Sequence, residues 1–224
     1  MSKRLSNNPK KYQTIVIVGK KGAGKSTLVK KMVKKIGVSK DRRFLISYTA
    51  DLDDTLRSSF DKENVFNSFD NAIIQHIKDV INEETKKLTF KFHHKYDKET
   101  DEYKIIKARI GKKPKLPPYL IVCDDCMGSS ILKRNGGMEV LFTKSRHLRL
   151  NIIVVGHSYK YIPVMMRVNS DRLIFFSQNN AELKKIEEEH SKEREKKTFE
   201  TKFRDATDKR FGTFEINYNN NPIY

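Results

Sequence analysis

The chain has 224 residues, which is enough for one α/β domain with a modest elaboration and too few for two large domains. Hydrophobic residues make up 37% of the sequence and charged residues 33%, and 46 lysines and arginines against 28 acids give a net charge of +18. With no apolar run long enough to span a bilayer, no secretory signal at the basic N-terminus and two cysteines, we expect a soluble intracellular protein whose positive field attracts polyanions, nucleic acid before acidic lipid.

The N-terminal part of the chain predicts the opening of a βαβ unit. Residues 14–18 form a continuous β-branched run, which is typical of a strand buried on both faces of a parallel sheet. A loop rich in glycine and lysine follows, and residues 26–36 then carry apolar side chains at helical spacing. Residues 44–48 predict a second strand, and residues 49–68 are polar and irregular.

The middle of the chain departs from this simple alternation. Residues 71–88 carry one apolar face at helical spacing. Residues 87–110 alternate in part on either side of a polar turn, which predicts a basic β-hairpin inserted into the α/β pattern. Residues 111–118 form a Lys/Pro linker that returns to the core.

The second half of the chain predicts further strands, separated by helices or loops. The predicted strands are residues 119–123, 151–155, 172–176 and 211–218, and the predicted helices are residues 137–148 and a charged surface or interface helix over 180–197. The pattern predicts a three-layer α/β fold with a mainly parallel central sheet and the inserted hairpin. We expect one domain over 1–224, with a core at about 12–178 and a C-terminal helix and strand at about 179–224.

A phosphate-binding loop lies between the first strand and the first helix. Residues 19–26, Gly-Lys-Lys-Gly-Ala-Gly-Lys-Ser, match the pattern G-x-x-x-x-G-K-[ST] in full. Glycines let successive N–H groups point at phosphate oxygens, and the helix adds the positive end of its dipole. Lysine reaches the β- and γ-phosphates, and the serine hydroxyl binds Mg²⁺. The predicted nucleotide-binding residues are Gly19, Gly22, Ala23, Gly24, Lys25, Ser26 and Thr27.

Two acids end the apolar run at residues 119–123. In a P-loop fold the first of them, Asp124, would lie in the Mg²⁺ shell together with Ser26. The second, Asp125, is a candidate catalytic base that orients and deprotonates the attacking water. The alternative is that Asp125 only starts a turn.

The segments that follow resemble the poxvirus-type genome packaging ATPases of the FtsK–HerA superfamily, over roughly residues 12–178. The resemblance is carried by Phe-Thr-Lys-Ser-Arg-His at residues 142–147, Asn-Ile-Ile-Val-Val-Gly-His-Ser-Tyr at 151–159, Ile162-Pro163 and Arg-Val-Asn at 167–169. It implies a P-loop NTPase fold of the RecA or FtsK–HerA type, and an ATP-driven, Mg²⁺-dependent motor that moves double-stranded DNA into a preformed capsid.

The resemblance also implies roles for further residues. The sensor position, usually Gln in the family, falls on His157, whose protonation would make turnover pH-dependent; Ser158 or Asn151 could sense instead. Arg146 and Arg167 are candidates for a finger that reaches the nucleotide of a neighbouring subunit. Alternatively, Arg146 caps a helix and Arg167 pairs with Asp171.

The implied partners are a DNA backbone bound without sequence preference, capsid vertex proteins and further copies of the chain in a hexameric or pentameric ring. From Met1 to Lys40 there are twelve lysines and arginines and no acid, which indicates a long polyanion as partner or, alternatively, a solubilising face. The hairpin could contact DNA, contact the capsid vertex or be a solvated insertion. The expected location is the host cytoplasm or virus factory, with association to the virion as a further option.

Other classes of P-loop protein are weaker hypotheses. A small GTPase would need an N-K-x-D motif, which the sequence lacks. A nucleoside or nucleotide kinase would need an arginine-rich lid, for which residues 191–210 are the candidate, but doubled acids suit water attack better. A DNA-binding module with ATP as a structural ligand would leave Asp125 without a role.

Overall fold

The computed structural model describes residues 12–51, 54–95, 116–133, 136–191 and 196–219, without the side chains of residues 89–95, 196 and 197. Within these ranges seven strands share one sheet. They are β1 (Thr14–Val18), β2 (Arg43–Ser47), β3 (Val65–Phe66), β4 (Tyr119–Asp124), β5 (Leu150–Gly156), β6 (Arg172–Phe175) and β7 (Phe214–Asn217). The strand order is β3-β2-β4-β5-β1-β6-β7, and every pairing is parallel except that of β6 with β7.

Helices cover both faces of this sheet. The described helices are α1 (Lys25–Ile36), α2 (Asp54–Arg57), α3 (Asn71–Lys95), α4 (Gly137–Lys144), α5 (Val164–Asn169), α6 (Asn180–His190) and α7 (Lys196–Thr207). On one face Ile15 and Ile17 share a core with Val29 of α1, and on the other Val16 and Val18 share a core with α3, α4, α6 and α7. All five residues of β1 are buried because neither face meets solvent. The predicted three-layer α/β fold is confirmed.

The predicted β-hairpin is wrong in its first strand. Residues 87–95 continue α3, which ends at Lys95. In the sequence, Leu88 and Phe92 alternate as a strand would, but they also continue the helical spacing of Ile77 and Ile81. Because no glycine or proline interrupts Asn71–Lys95, propagation of the existing helix is favoured. The rest of the predicted hairpin, residues 96–110, lies outside the described residues.

The C-terminal region also differs from its prediction. The helix predicted over residues 180–197 ends at His190, and a separate helix, α7, follows from Lys196. Leu183, Ile186 and Glu182 are buried, so α6 has a packed face despite its charge. No helix in the described ranges is both long and apolar enough to cross a membrane.

Candidate active site

Three adjacent strands bring the predicted motifs to one edge of the sheet. The register pairs Asp124 of β4 with Val155 of β5, and Ile17 of β1 with the same Val155. Because all three strands are parallel, the phosphate loop after β1, the acids at the end of β4 and His157 after β5 lie side by side. This carboxyl edge is where α/β sheets usually bind ligands.

The phosphate loop adopts the backbone conformation that its glycines predict. Gly22 has a φ of 76°, and Gly24, the N-cap of α1, has a φ of 99°. Such left-handed positions favour glycine, since a Cβ there is strained. The Gly19 amide donates to the Gly156 carbonyl at 3.1 Å, which joins the start of the loop to the end of β5.

Lys25 is buried at the centre of this arrangement. Its ammonium donates to the carbonyls of Gly19 at 2.8 Å and Lys20 at 3.0 Å, and lies 3.1 Å from Nδ1 of His157. Burial lowers the pKa of Lys25, while the carboxylates of Asp125 and Asp124 oppose that shift. Both predicted acids are therefore close enough to act on the predicted phosphate-binding lysine.

His157 lies between the lysine and the second acid. Its Nε2 is 2.6 Å from Oδ1 of Asp125, a buried oxygen that makes no hydrogen bond, so the two groups approach closely without alignment. Because an ammonium can only donate, Nδ1 must accept from Lys25, which assigns the ring proton to Nε2, facing the carboxylate. The imidazole thus links Lys25 to Asp125.

The backbone at Asp125 is left-handed, with a φ of 55°. Aspartate tolerates this conformation better than most residues, but it remains uncommon outside glycine, and such outliers cluster at functional sites. Asp125 therefore forms the turn after β4 with its backbone, while its side chain approaches His157. The two alternatives for this residue, a base and the start of a turn, are not exclusive.

The loop that carries His157 is fixed by a residue that the sequence did not single out. The buried carboxylate of Glu182 in α6 accepts from the Ser158 hydroxyl at 2.6 Å and from the amides of Tyr159 at 2.8 Å and Lys160 at 3.2 Å. The Asn179 side chain in turn accepts from the Glu182 amide at 2.9 Å. This Asn-x-x-Glu pattern at the start of a helix is the signal that could have identified Glu182.

The two alternative sensor residues have other partners. Asn151 is at the amino end of β5, where it donates to the Tyr119 carbonyl at 3.2 Å and accepts from the Gln13 amide at 3.1 Å. It lies at the edge opposite the phosphate loop, so Asn151 as sensor is wrong. The Ser158 hydroxyl is directed to Glu182.

The two arginines have different partners from those that the sequence suggested. Arg146, whose side chain is 60% exposed, pairs with Asp171 at 2.9 Å. Arg167 is only 4% exposed; it pairs with Glu189 at 2.6 Å and lies over the Tyr159 ring at 4.7 Å. The predicted Arg167–Asp171 pair is therefore wrong. Burial makes Arg167 a packing residue in this structure, whereas Arg146 stays accessible.

The oxygen donors near the loop suit a magnesium ion. The hydroxyl of Ser26 and the carboxylate of Asp124 are hard donors of the kind that Mg²⁺ prefers. Within the described residues no group of three or more His, Cys, Asp or Glu side chains could hold a metal. Magnesium beside nucleotides usually takes most of its ligands from phosphates and water, and one hydroxyl and one carboxylate fit that mode.

Comparison with known proteins gives one family and several structures of the same fold. The family model described as "Poxvirus A32 protein" matches residues 3–210. The genome packaging NTPase B204 from Sulfolobus turreted icosahedral virus 2, in complex with ATP-γS, superposes with a TM-score of 0.58 at 14% identity and covers 96% of each chain. B204, the DNA-packaging ATPase from Sulfolobus turreted icosahedral virus, gives a TM-score of 0.52 at 17% identity over 95% of this chain and 98% of that one. At such identities the likeness establishes a shared fold. No curated protein matches the sequence.

Proposed function

Since the chain belongs to the poxvirus A32 protein family, we propose that it is an ATP-hydrolysing motor that translocates double-stranded DNA into a preformed capsid. The family resemblance inferred from the sequence is confirmed by that membership. One observation carries the proposal of hydrolysis: His157 lies 3.1 Å from the Lys25 ammonium and 2.6 Å from the Asp125 carboxylate. The phosphate-binding lysine, the sensor and the candidate base thus form one contiguous group.

ATP binding uses the phosphate loop and the first turn of α1. The loop amides and the helix dipole hold the phosphates, with Thr27 beside the α-phosphate. Lys25 exchanges its bonds to the Gly19 and Lys20 carbonyls for the β- and γ-phosphates. Ser26 and Asp124 would hold Mg²⁺, which neutralises charge on the phosphate oxygens when bound.

Hydrolysis follows from the position of Asp125. Its carboxylate orients a water and accepts a proton as the water oxygen bonds to the γ-phosphorus, while the bond from that phosphorus to the bridging oxygen breaks. Nε2 of His157 lies 2.6 Å from Oδ1 of Asp125, which keeps the sensor beside the candidate base. When Lys25 turns to the phosphates, Nδ1 of His157 loses its donor and becomes available to a hydrogen bond from the water.

Glu182 acts as a positioning residue for His157, which gives a first prediction. Glu182→Ala removes the acceptor of three hydrogen bonds and should lower kcat between about tenfold and a hundredfold, since small displacements of a reacting group are costly. ATP affinity should change little, because the hydrogen bonds described for the Glu182 carboxylate go to residues 158–160 and not to the phosphate loop. Steady-state phosphate release and nucleotide titration measure the two quantities.

The conservative variant controls for general damage to the fold. In Glu182→Gln the amide oxygen can accept from the backbone, and the amide nitrogen can donate to the Ser158 hydroxyl, so most activity should return. Equal loss of kcat in both variants, or a matching loss of ATP affinity, would contradict the positioning role.

A ring of subunits is part of the proposal. Arg146 is exposed and lies near Asp171, which precedes β6 at the amino edge of the sheet. That edge is opposite the phosphate loop of the same chain. A trans finger is therefore the only way for this guanidinium to stabilise a γ-phosphate, and a hexamer or pentamer would supply the neighbouring site.

The positive charge supports DNA as the track. On the outer surface of α1 the exposed lysines are Lys30, Lys31, Lys34 and Lys35. A motor that follows a phosphate backbone needs such charge and no base contacts. Capsid vertex proteins as docking partners and a location in the host cytoplasm, virus factory or virion complete the proposal.

The test is ATP turnover with and without double-stranded DNA. We expect DNA of any sequence to stimulate turnover, and the stimulation to fade as salt rises, because backbone contacts release counterions. Two duplexes of unrelated sequence and equal length provide the matched control. A nucleoside that raises ADP production, with no response to DNA, would contradict translocation and favour a kinase.

A further inference from the structure

Phe211 lies against the phosphate loop and is more than half exposed. It occupies the turn between α7 and β7, and its Cδ1 is 2.9 Å from the position that a Cβ on Gly24 would take. The residue is nevertheless 56% exposed. Gly24 immediately precedes Lys25, so this aromatic ring borders the proposed triphosphate site.

The backbone at Phe211 is strained, and the surrounding structure maintains the strain. Its φ is 65°, which is a genuine outlier for a bulky residue. The Gly212 amide donates to the Lys209 carbonyl at 2.7 Å, and a Cβ on Gly212 would lie 2.5 Å from the Ala206 carbonyl oxygen. The turn is therefore tight. Buried Phe203 in α7 and Phe214 in β7 anchor it on both sides.

Packing alone does not account for this conformation. A ring that served only as apolar cover would be buried, whereas more than half of Phe211 meets solvent. The guanidinium of Arg210 lies 4.9 Å from the ring centroid, which places a cation beside an aromatic surface at the border of a phosphate site. An exposed, rigidly held aromatic ring with a neighbouring cation suits a flat, electron-rich group attached to phosphates.

We propose that Phe211 is the stacking platform for the purine base of the bound nucleotide. The inference rests on the proposed function, because the loop must hold the triphosphate. With the β- and γ-phosphates at Lys25 and the α-phosphate at Thr27, the ribose and base leave the site from the first turn of α1. Gly24, which Phe211 contacts, is the residue that begins this turn.

The experiment compares two ligands that differ in the base. ATP-γS and inorganic tripolyphosphate are each titrated calorimetrically into the full-length protein and its variants. Phe211→Ala should weaken ATP-γS binding by about fivefold to 150-fold, the range of base–aromatic stacking, and leave tripolyphosphate binding unchanged. Phe211→Trp, which keeps an aromatic face, should retain ATP-γS binding.

Two further variants separate stacking from structural effects. Phe211→Gly accepts a φ of 65° without strain, so it should keep or raise the melting temperature and still show the loss of ATP-γS affinity. Tyr161→Ala is the matched control, since Tyr161 is 61% exposed and has the Lys160 ammonium 5.0 Å from its ring centroid. It should leave both affinities unchanged.

Two results would overturn the platform. One is unchanged ATP-γS affinity in both Phe211→Ala and Phe211→Gly, with binding by the wild-type protein intact. The other is an equal loss for ATP-γS and tripolyphosphate, which would make the ring a support for the loop. Wild-type protein that binds neither ligand would overturn the proposed function itself and the platform with it.

Discussion

Replacing Lys25 with alanine is expected to reduce ATP hydrolysis by about 100- to 1,000-fold or more, since the substitution removes the cation that stabilises charge on the transferring phosphoryl group. In the structure this ammonium is buried beside two carbonyls of its own loop and the His157 ring. No other described lysine has these contacts, so a neighbouring cation cannot take its place. Phosphate release at saturating ATP measures the effect.

Lys21→Ala is the matched control for this experiment. Lys21 belongs to the same loop and carries the same charge, but its side chain is exposed. Its removal should leave turnover within a few-fold of wild type, because an exposed charge is screened by solvent and salt. Unchanged turnover in Lys25→Ala would contradict both the nucleotide site and the proposed motor.

The sequence predicted the edge of the sheet that carries the candidate site, because the determinants of this edge are local. Continuous apolar runs gave β1, β4 and β5, and the phosphate loop has its own residue pattern. The parallel pairing then places Lys25, Asp125 and His157 at one edge without any knowledge of distant contacts. The predictions of these three strands and of the phosphate loop, which depend only on short segments and on this rule, agree with the structure.

Ion pairs between residues that are distant in the sequence could not be predicted from local patterns. Arg167 is close to Asp171 in the sequence, whereas Arg146 is close to it only in the folded structure. The packing of α6 determines which of the two arginines pairs with Asp171. α6 brings Glu189 to Arg167, which leaves Asp171 to Arg146. The residue pattern of separate segments does not indicate which acid each arginine pairs with.

Two residues in polar or charged stretches, Glu182 and Phe211, make contacts that their sequence surroundings did not predict. α6 has a highly charged sequence, yet the carboxylate of Glu182 is buried and holds the loop of His157. Phe211 follows a lysine and an arginine in a polar stretch, and nothing in its neighbours indicates contact with Gly24. The buried charge of Glu182 is satisfied, and the turn at Phe211 is strained, by tertiary contacts. A residue pattern along the sequence does not predict such contacts.

The structure removes the main support for the kinase hypothesis, which was an arginine-rich lid in the C-terminal part of the chain. The candidate lid, residues 191–210, contains α7, whose Phe199 and Phe203 are buried in the core. A lid must move over the phosphates, and a helix that contributes two phenylalanines to the core resists such movement. The exposed Arg204 pairs instead with Glu200 at 2.7 Å.

Asp125→Asn tests the base and should separate binding from chemistry. Asparagine has the same shape and also tolerates a φ of 55°, so the turn after β4 should persist. It cannot accept a proton from water, and a general base contributes about 100- to 10,000-fold, so hydrolysis should fall by that factor while ATP affinity changes little. Nucleotide titration and single-turnover phosphate release measure the two effects separately.

The contact with His157 sharpens this expectation. In the wild type, Nε2–H faces a carboxylate at 2.6 Å, whereas in the variant it faces a neutral amide that can direct either an oxygen or a nitrogen towards the ring. Loss of activity would therefore combine a missing proton acceptor with an altered contact between residue 125 and His157. Asp79→Asn, at an exposed position of α3 where Gln75 donates to the carboxylate at 2.9 Å, is the matched control and should keep full turnover. Wild-type rates in Asp125→Asn would leave Asp125 as a turn residue only, and the attacking water would then require a different base.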